Sequence, residues 1–154
     1  MSPDKNSIRI LMADDDEDDR LMARDALEEA RMVNQLDFVV NGEDLMDYLK
    51  RRGDFEKYKG DPLPGLILLD LNMPRKDGRE ALREIKEDPK LKRIPVVVLT
   101  TSKAEEDLLR TYELGVNSFI QKPVTFKGLV QVMKAIKMYW FEFVVLPSRG
   151  LANE

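Results

Sequence analysis

Cysteine and histidine are both absent from the 154-residue sequence. Without cysteine the chain can form no disulfide, no thiolate metal site and no cysteine nucleophile, which fits a cytoplasmic protein. Without histidine it lacks the usual general base near neutral pH and the commonest transition-metal ligand, and it cannot itself carry a phosphohistidine. Reactive chemistry must therefore use carboxylates, hydroxyls and lysine, together with a hard metal ion that prefers oxygen ligands.

An excess of basic residues is also lacking, because 25 lysines and arginines stand against 29 acidic residues, for a net charge of -4. A general nucleic-acid binder needs a basic face, so we expect no direct binding to nucleic acid. No apolar run approaches the ~20 residues of a membrane span. The N-terminus lacks the apolar core of a signal peptide, so we expect no membrane association.

The sequence does contain a regular alternation of short apolar runs and longer segments of helical periodicity. The runs predicted to be strands are residues 8–13, 37–40, 66–70, 96–99 and 118–120. A helix is predicted after each strand, and the one after the fourth strand rests on Leu108, Leu109 and Tyr112. Five such units predict an α/β domain with a parallel sheet and helices on both faces. The polar region 51–64 is predicted to be a surface loop.

Polar residues follow the ends of four predicted strands. Asp14 and Asp15 end the first strand, Asp70 the third and Thr100 the fourth, while Lys122 follows the fifth. Ligands of an open parallel sheet bind beyond the carboxyl ends of its strands, so we expect these side chains in one crevice. Converging carboxylates repel one another unless a cation joins them. Mg²⁺ fits best, since zinc and copper favour other ligands.

Six acidic residues stand in a row from Asp14 to Asp19. We predict that Asp16 is the N-cap of the first helix, with Asp19 three residues later in a position like that of a capping box. Glu17 and Asp18 face the positive end of the helix dipole. Only Asp14 and Asp15 are therefore assigned to the metal.

Taken together, these motifs resemble the receiver domain of two-component response regulators over about residues 8–136. The resemblance rests on the acidic pair, on Asp70 in LILLDLNMPRKDG, on Thr100 in VVVLTTS, on Lys122 in QKP and on the aromatic Phe119 in the fifth strand. Each motif alone is weak, but all five lie on the matching strands. The resemblance implies the doubly wound, five-stranded, flavodoxin-like receiver fold with five flanking helices.

The resemblance also implies that Asp70 is the nucleophile that takes a phosphoryl group from a sensor histidine kinase. Asp14, Asp15 and Asp70 then bind Mg²⁺, Asp14 through water, and the backbone carbonyl of Asn72 supplies a further oxygen. A protein of this kind signals and is not an enzyme, although it assists its own phosphotransfer and dephosphorylation.

Three further residues receive roles from the same resemblance. Lys122 pairs with the phosphoryl oxygens as a point charge, and Thr100 donates its hydroxyl to them. The inward movement of Thr100 lets the switch residue Phe119 change rotamer, which biases the packing of the preceding helix and the fifth strand. The resemblance also favours a cis bond between Lys122 and Pro123.

Residues 1–154 are interpreted as one receiver domain whose end, residues 138–154, is an apolar extension. Its aromatic residues are Tyr139, Trp140, Phe141 and Phe143. It could fold back on its own core, but the last helix already has a core face, so we predict a homodimer formed through this extension. The ending is similar to that of single-domain regulators that pair with bacterial phytochromes, which implies such a kinase as partner.

Two other functions are considered. A phosphohydrolase of the haloacid dehalogenase type also forms a phosphoaspartate with Mg²⁺. Such enzymes resemble one another in a DxD motif after a strand, and in this chain Asn72 occupies the position of the second aspartate. Without an acid/base there, multiple turnover is disfavoured. A phosphorylation-independent interaction module is the third interpretation, and the complete acidic set argues against it.

Overall fold

The computed structural model describes residues 8–100 and 118–138. The strands are β1 (Ile10–Ala13), β2 (Leu36–Val39), β3 (Leu66–Asp70), β4 (Val96–Thr100) and β5 (Ser118–Gln121). The helices are α1 (Glu17–Glu29), α2 (Gly42–Lys50), α3 (Gly78–Glu87) and α4 (Phe126–Ile136), with a short 3₁₀ helix at Gly53–Tyr58. All five predicted strands are confirmed, with ends that differ by at most two residues. The helix predicted on Leu108, Leu109 and Tyr112 lies outside the described residues.

The five strands form one all-parallel sheet in the order β2-β1-β3-β4-β5. From β1 the chain passes to β2 on one side and then continues through β3, β4 and β5 on the other. The order therefore reverses between β1 and β3, and the crevice that forms at such a reversal lies outside the carboxyl ends of those two strands. This is the edge at which the sequence places Asp14, Asp15 and Asp70.

Alternate residues of the strands divide the core into two layers. Ile10 and Met12 of β1 pack with the buried faces of α1 and α4, which share one side of the sheet. Leu11 and Ala13 pack with α2 and α3 on the other side. The predicted arrangement of helices on both faces is confirmed. Among residues 8–100 and 118–138 no helix is long and apolar enough to cross a membrane.

The region predicted to be a surface loop, residues 51–64, contains the 3₁₀ helix Gly53–Tyr58. The rings of Phe55 and Tyr58 lie 5.5 and 5.6 Å from that of Tyr48 in α2. The guanidinium of Arg51 donates hydrogen bonds to the carbonyls of Tyr48 and Pro62 at 2.7 and 2.9 Å. Turn-forming residues predicted a loop here, but aromatic packing onto α2 orders the segment.

Candidate phosphoacceptor and metal site

The acidic run between β1 and α1 divides into a strand end and a helix start. Oδ1 of Asp14 accepts a hydrogen bond of 2.9 Å from the backbone N–H of Asp16. Oδ1 of Asp16 in turn accepts hydrogen bonds from the N–H groups of Asp18 and Asp19, at 2.8 and 3.2 Å. The prediction that Asp16 is the N-cap is confirmed. This local network holds Asp14 and Asp15 at the end of β1.

Three carboxylates meet where β1 and β3 end. Asp14, Asp15 and Asp70 each offer an oxygen, and these oxygens all lie within 4.8 Å of one another. Asp14 and Asp70 are buried, whereas Asp15 is exposed. Oδ1 of Asp70 also accepts a hydrogen bond of 3.1 Å from the backbone N–H of Asn72, which fixes one side of its carboxylate. The predicted convergence of the acidic residues is therefore present.

The backbone beyond Asp70 packs closely against the start of α3. A Cβ atom on Gly78 would lie 2.6 Å from the carbonyl oxygen of Asp70 and 2.7 Å from Cα of Leu71. The N–H of Gly78 donates a hydrogen bond of 3.0 Å to the carbonyl of Leu71, and Asp77 is the N-cap of α3. Glycine is thus needed for the helix to approach the residue that carries the carboxylate.

Lys122, the residue after β5, lies at ion-pair distance from three carboxylates. Its ammonium lies 2.7 Å from Oδ2 of Asp19, 3.0 Å from Oδ2 of Asp14 and 3.4 Å from Oδ2 of Asp70. The contacts with Asp14 and Asp70 agree with the predicted crevice. The contact with Asp19 was missed, because the sequence assigned that residue to the helix start alone. The packing of α1 and α4 on one face of the sheet brings the first turn of α1 near Lys122.

Burial shapes the ionisation of the cluster. It raises the pKa of both Asp14 and Asp70, although a backbone N–H and the charge of Lys122 act in the opposite direction on each. Burial alone would lower the pKa of Lys122, but the hydrogen bonds that its ammonium donates to Asp19 and Asp14, together with the negative charges of Asp14 and Asp70, outweigh burial and raise that pKa. Lys122 is therefore a permanent cation at neutral pH, and one ammonium faces several carboxylates.

The donors of this cluster fit a hard divalent cation. Oδ2 of Asp14 is buried, and among the described residues the ammonium of Lys122 is the cation that meets it, at 3.0 Å. Burying a carboxylate is costly unless cations offset its charge, and here one ammonium is shared among the carboxylates of Asp14, Asp19 and Asp70. All three side chains offer oxygen, the ligand that Mg²⁺, Mn²⁺ and Ca²⁺ prefer.

Two predicted site residues are described only by their backbone. Thr100 ends β4, where it pairs with Gln121, and Phe119 lies in β5 opposite Val98. Their predicted side-chain roles lie outside what the structure describes. The Lys122–Pro123 bond is trans, so the expectation of a cis bond is wrong.

The predicted dimer interface, comprising Tyr139, Trp140, Phe141 and Phe143, lies beyond the last described residue. Its neighbour Met138, two residues after the end of α4, is 52% exposed.

Comparison with known proteins gives the class to which this fold and site belong. The chain matches the response regulator receiver domain over residues 10–134, and it belongs to that family. This membership decides in favour of a signalling receiver over a phosphohydrolase of the haloacid dehalogenase type.

Among individual proteins, the chain is similar to response regulator Rcp1 of Synechocystis. The two are 42% identical over 149 residues, which cover 96% of this chain and 99% of Rcp1. The crystal structure of the phosphorylated cyanobacterial phytochrome response regulator RcpA is 41% identical, with a TM-score of 0.81, and the match covers 92% of this chain and 99% of RcpA. The Mn²⁺-bound structure of Rcp1 has a TM-score of 0.79 at 42% identity and covers 91% and 99%. The relatives thus include response regulators of phytochromes.

Proposed function

We propose that this response regulator takes a phosphoryl group on Asp70. One observation carries the proposal: the buried carboxylate of Asp70 ends β3 within 4.8 Å of carboxylate oxygens of Asp14 and Asp15, with the ammonium of Lys122 at 3.4 Å. The Asp70 carboxylate thus lies close both to two further carboxylates that can bind a metal and to a positive charge. This is the environment that the transfer of an anionic phosphoryl group needs.

The donor is the phosphohistidine of a sensor histidine kinase. In the transfer, a P–O bond forms between a carboxylate oxygen of Asp70 and phosphorus while the P–N bond to the donor imidazole breaks. The imidazole keeps the electron pair of that bond and takes up a proton. The absence of histidine from this chain means that the donor must belong to another protein or domain.

Mg²⁺ is the proposed cofactor, held by Asp14, Asp15, Asp70 and the backbone carbonyl of Asn72. When bound, the ion offsets the negative charge of the carboxylates and of the transferring group. Residues of the chain orient the nucleophile and attract the phosphoryl group. The N–H of Asn72 orients the Asp70 carboxylate, and Lys122 attracts the phosphoryl oxygens. The existence of a Mn²⁺-bound form of the relative Rcp1 supports a divalent cation as cofactor.

Thr100 and Phe119 are proposed to transmit the change. Thr100 ends β4 next to the carboxyl end of β3, and its hydroxyl would donate to a phosphoryl oxygen on Asp70. Movement of Thr100 would free space for the ring of Phe119 in the adjacent strand. The phosphoryl group thereby favours one of two packings of this edge of the sheet.

The proposed partners rest on the similar proteins and on the apolar extension, residues 138–154. The kinase is proposed to be a bacterial phytochrome, because RcpA and similar structures are response regulators of phytochromes. We propose a cytoplasmic homodimer, formed by residues 138–154 through Tyr139, Trp140, Phe141 and Phe143. The apolar composition of this segment and the exposure of Met138 support a contact with a second copy.

The direct test is incubation with Mg²⁺ and acetyl phosphate, followed by intact mass measurement. The wild type should gain the mass of about 80 Da that one phosphoryl group adds. Asp70→Asn should gain none, whereas the matched variant Asp25→Asn, which changes an exposed aspartate of α1, should behave as the wild type. Continuous release of phosphate without an adduct would contradict the proposal, and so would an adduct that survives Asp70→Asn.

A further inference from the structure

The shortest ion pair of Lys122 is with Asp19 and not with Asp70. Its ammonium lies 2.7 Å from Oδ2 of Asp19 but 3.4 Å from Oδ2 of Asp70. Only 17% of the Lys122 side chain and 33% of the Asp19 side chain are exposed, so the pair is partly withdrawn from solvent. Such a pair is screened less than one on the open surface. The lysine of the candidate site is therefore bound to the first turn of α1.

The position of Asp19 is fixed by the helix cap. Its backbone N–H donates to the carboxylate of Asp16 at 3.2 Å, in the network that begins α1. Its side chain leaves the first turn toward the loop after β5, where Lys122 lies. Asp19 is not among the three carboxylates within 4.8 Å of one another that could hold a metal. Its contact with the site is therefore the ion pair with Lys122.

We propose that Asp19 is a positioning residue that holds Lys122 on α1 and competes with a phosphoryl group on Asp70 for its ammonium. This inference rests on the proposed phosphorylation of Asp70. An ammonium has three donors, and in this structure Asp19, Asp14 and Asp70 share them at increasing distances. A phosphoryl group on Asp70 can draw Lys122 closer only against the attraction of Asp19. The aspartate therefore lowers the contribution of Lys122 to phosphorylation.

The test compares rate constants for phosphorylation by acetyl phosphate at saturating Mg²⁺, so that metal affinity does not enter. Asp19→Asn should raise the rate constant about two- to fivefold, the range expected from removing one partly exposed ion pair. Asp18→Asn is the matched control. It removes the same charge one position earlier, from an exposed residue that is not within ion-pair distance of Lys122 in the described part of the chain. Its rate constant should stay near that of the wild type.

Two further variants separate positioning from a merely structural effect. Asp19→Glu keeps the charge and should restore a rate constant close to that of the wild type. In a Lys122→Met background, Asp19→Asn should change nothing, because its effect acts through the ammonium. Urea midpoints of all variants would show that each is folded, and Asp19→Ser serves in place of Asp19→Asn if that variant does not fold.

The inference is overturned if Asp19→Asn and Asp18→Asn give the same rate constant, if Asp19→Asn is slower than the wild type, or if its gain persists without Lys122. In these cases the wild type still takes the phosphoryl group, and the proposed function stands. A wild type that takes no phosphoryl group overturns both proposals.

Discussion

The ammonium of Lys122 lies 3.4 Å from Oδ2 of Asp70, although 52 positions separate the two residues in the chain. Asp70 ends β3, and Lys122 follows β5. The strand β4 lies between those two strands in the sheet, so a long lysine side chain is needed to bridge the distance. This contact gives the buried carboxylate of Asp70 a positive neighbour that remains charged throughout the neutral pH range.

The first prediction concerns the division of the acidic run. Asp15→Asn should weaken Mg²⁺ binding roughly tenfold or more, because it removes one of the charged oxygen ligands that set affinity for a hard cation. Asp18→Asn makes the same change in charge on an exposed residue of the first helical turn and should shift the affinity by about twofold or less. Isothermal titration calorimetry with MgCl₂ measures both. Equal losses in the two variants would mean that the whole run acts as one diffuse negative field.

The second prediction concerns stability without metal. Burial raises the pKa of Asp70, so its carboxyl holds a proton more readily in the folded than in the unfolded protein. The stability linked to that proton is present below the ordinary pKa of about 4 and is lost as the pH rises through the raised pKa. At pH 7 in EDTA, Asp70→Asn should therefore increase the free energy of unfolding, by about 1–2 kcal/mol.

Urea unfolding at pH 7 and near pH 4 checks this sign. The gain from Asp70→Asn should shrink at the lower pH, where more of the wild-type carboxyl holds a proton, and Asp25→Asn should change little at either pH. Saturating Mg²⁺ should stabilise the wild type more than Asp70→Asn, since the ion binds the folded site of the former. A loss of stability in Asp70→Asn at pH 7 in EDTA would show that Lys122 outweighs burial.

The third prediction concerns the approach of α3 to β3. Gly78→Ala should lower the free energy of unfolding by about 1–3 kcal/mol, because the added methyl group meets the backbone of Asp70 and Leu71. It should also slow phosphorylation, since the displaced backbone carries the nucleophile. Arg83→Ala, on an exposed position of the same helix, should change stability by less than about 0.5 kcal/mol. An unaffected Gly78→Ala would mean that the helix shifts freely without moving Asp70.

Most of the fold and the centre of the site could be predicted from the sequence. The unbroken apolar runs of β1 and β3 indicated buried parallel strands, and the ends of such strands necessarily share one edge of the sheet. The sequence alone therefore predicts that Asp14, Asp15, Asp70 and Lys122 lie together.

The contact between Asp19 and Lys122 could not be predicted in the same way. It depends on the orientation of the first turn of α1 relative to the loop after β5, which is set by the packing of α1 with α4. Residues of a capping sequence satisfy the helix end locally, so their composition carries no signal of a partner more than 100 positions away. The 3₁₀ helix near Tyr48 was missed for a similar reason, because its order comes from aromatic contacts outside the segment.

The position of the phosphoryl group in the chain decides whether Asp70 is the phosphoacceptor. Protein phosphorylated with acetyl phosphate and Mg²⁺ is treated with borohydride, which reduces a phosphoaspartate to homoserine, and is then mapped by peptide mass spectrometry. Homoserine is expected at position 70 alone. Homoserine at position 14 or 15, or at no position in a protein that nevertheless gained the phosphoryl mass, would contradict the assignment of Asp70 as the phosphoacceptor.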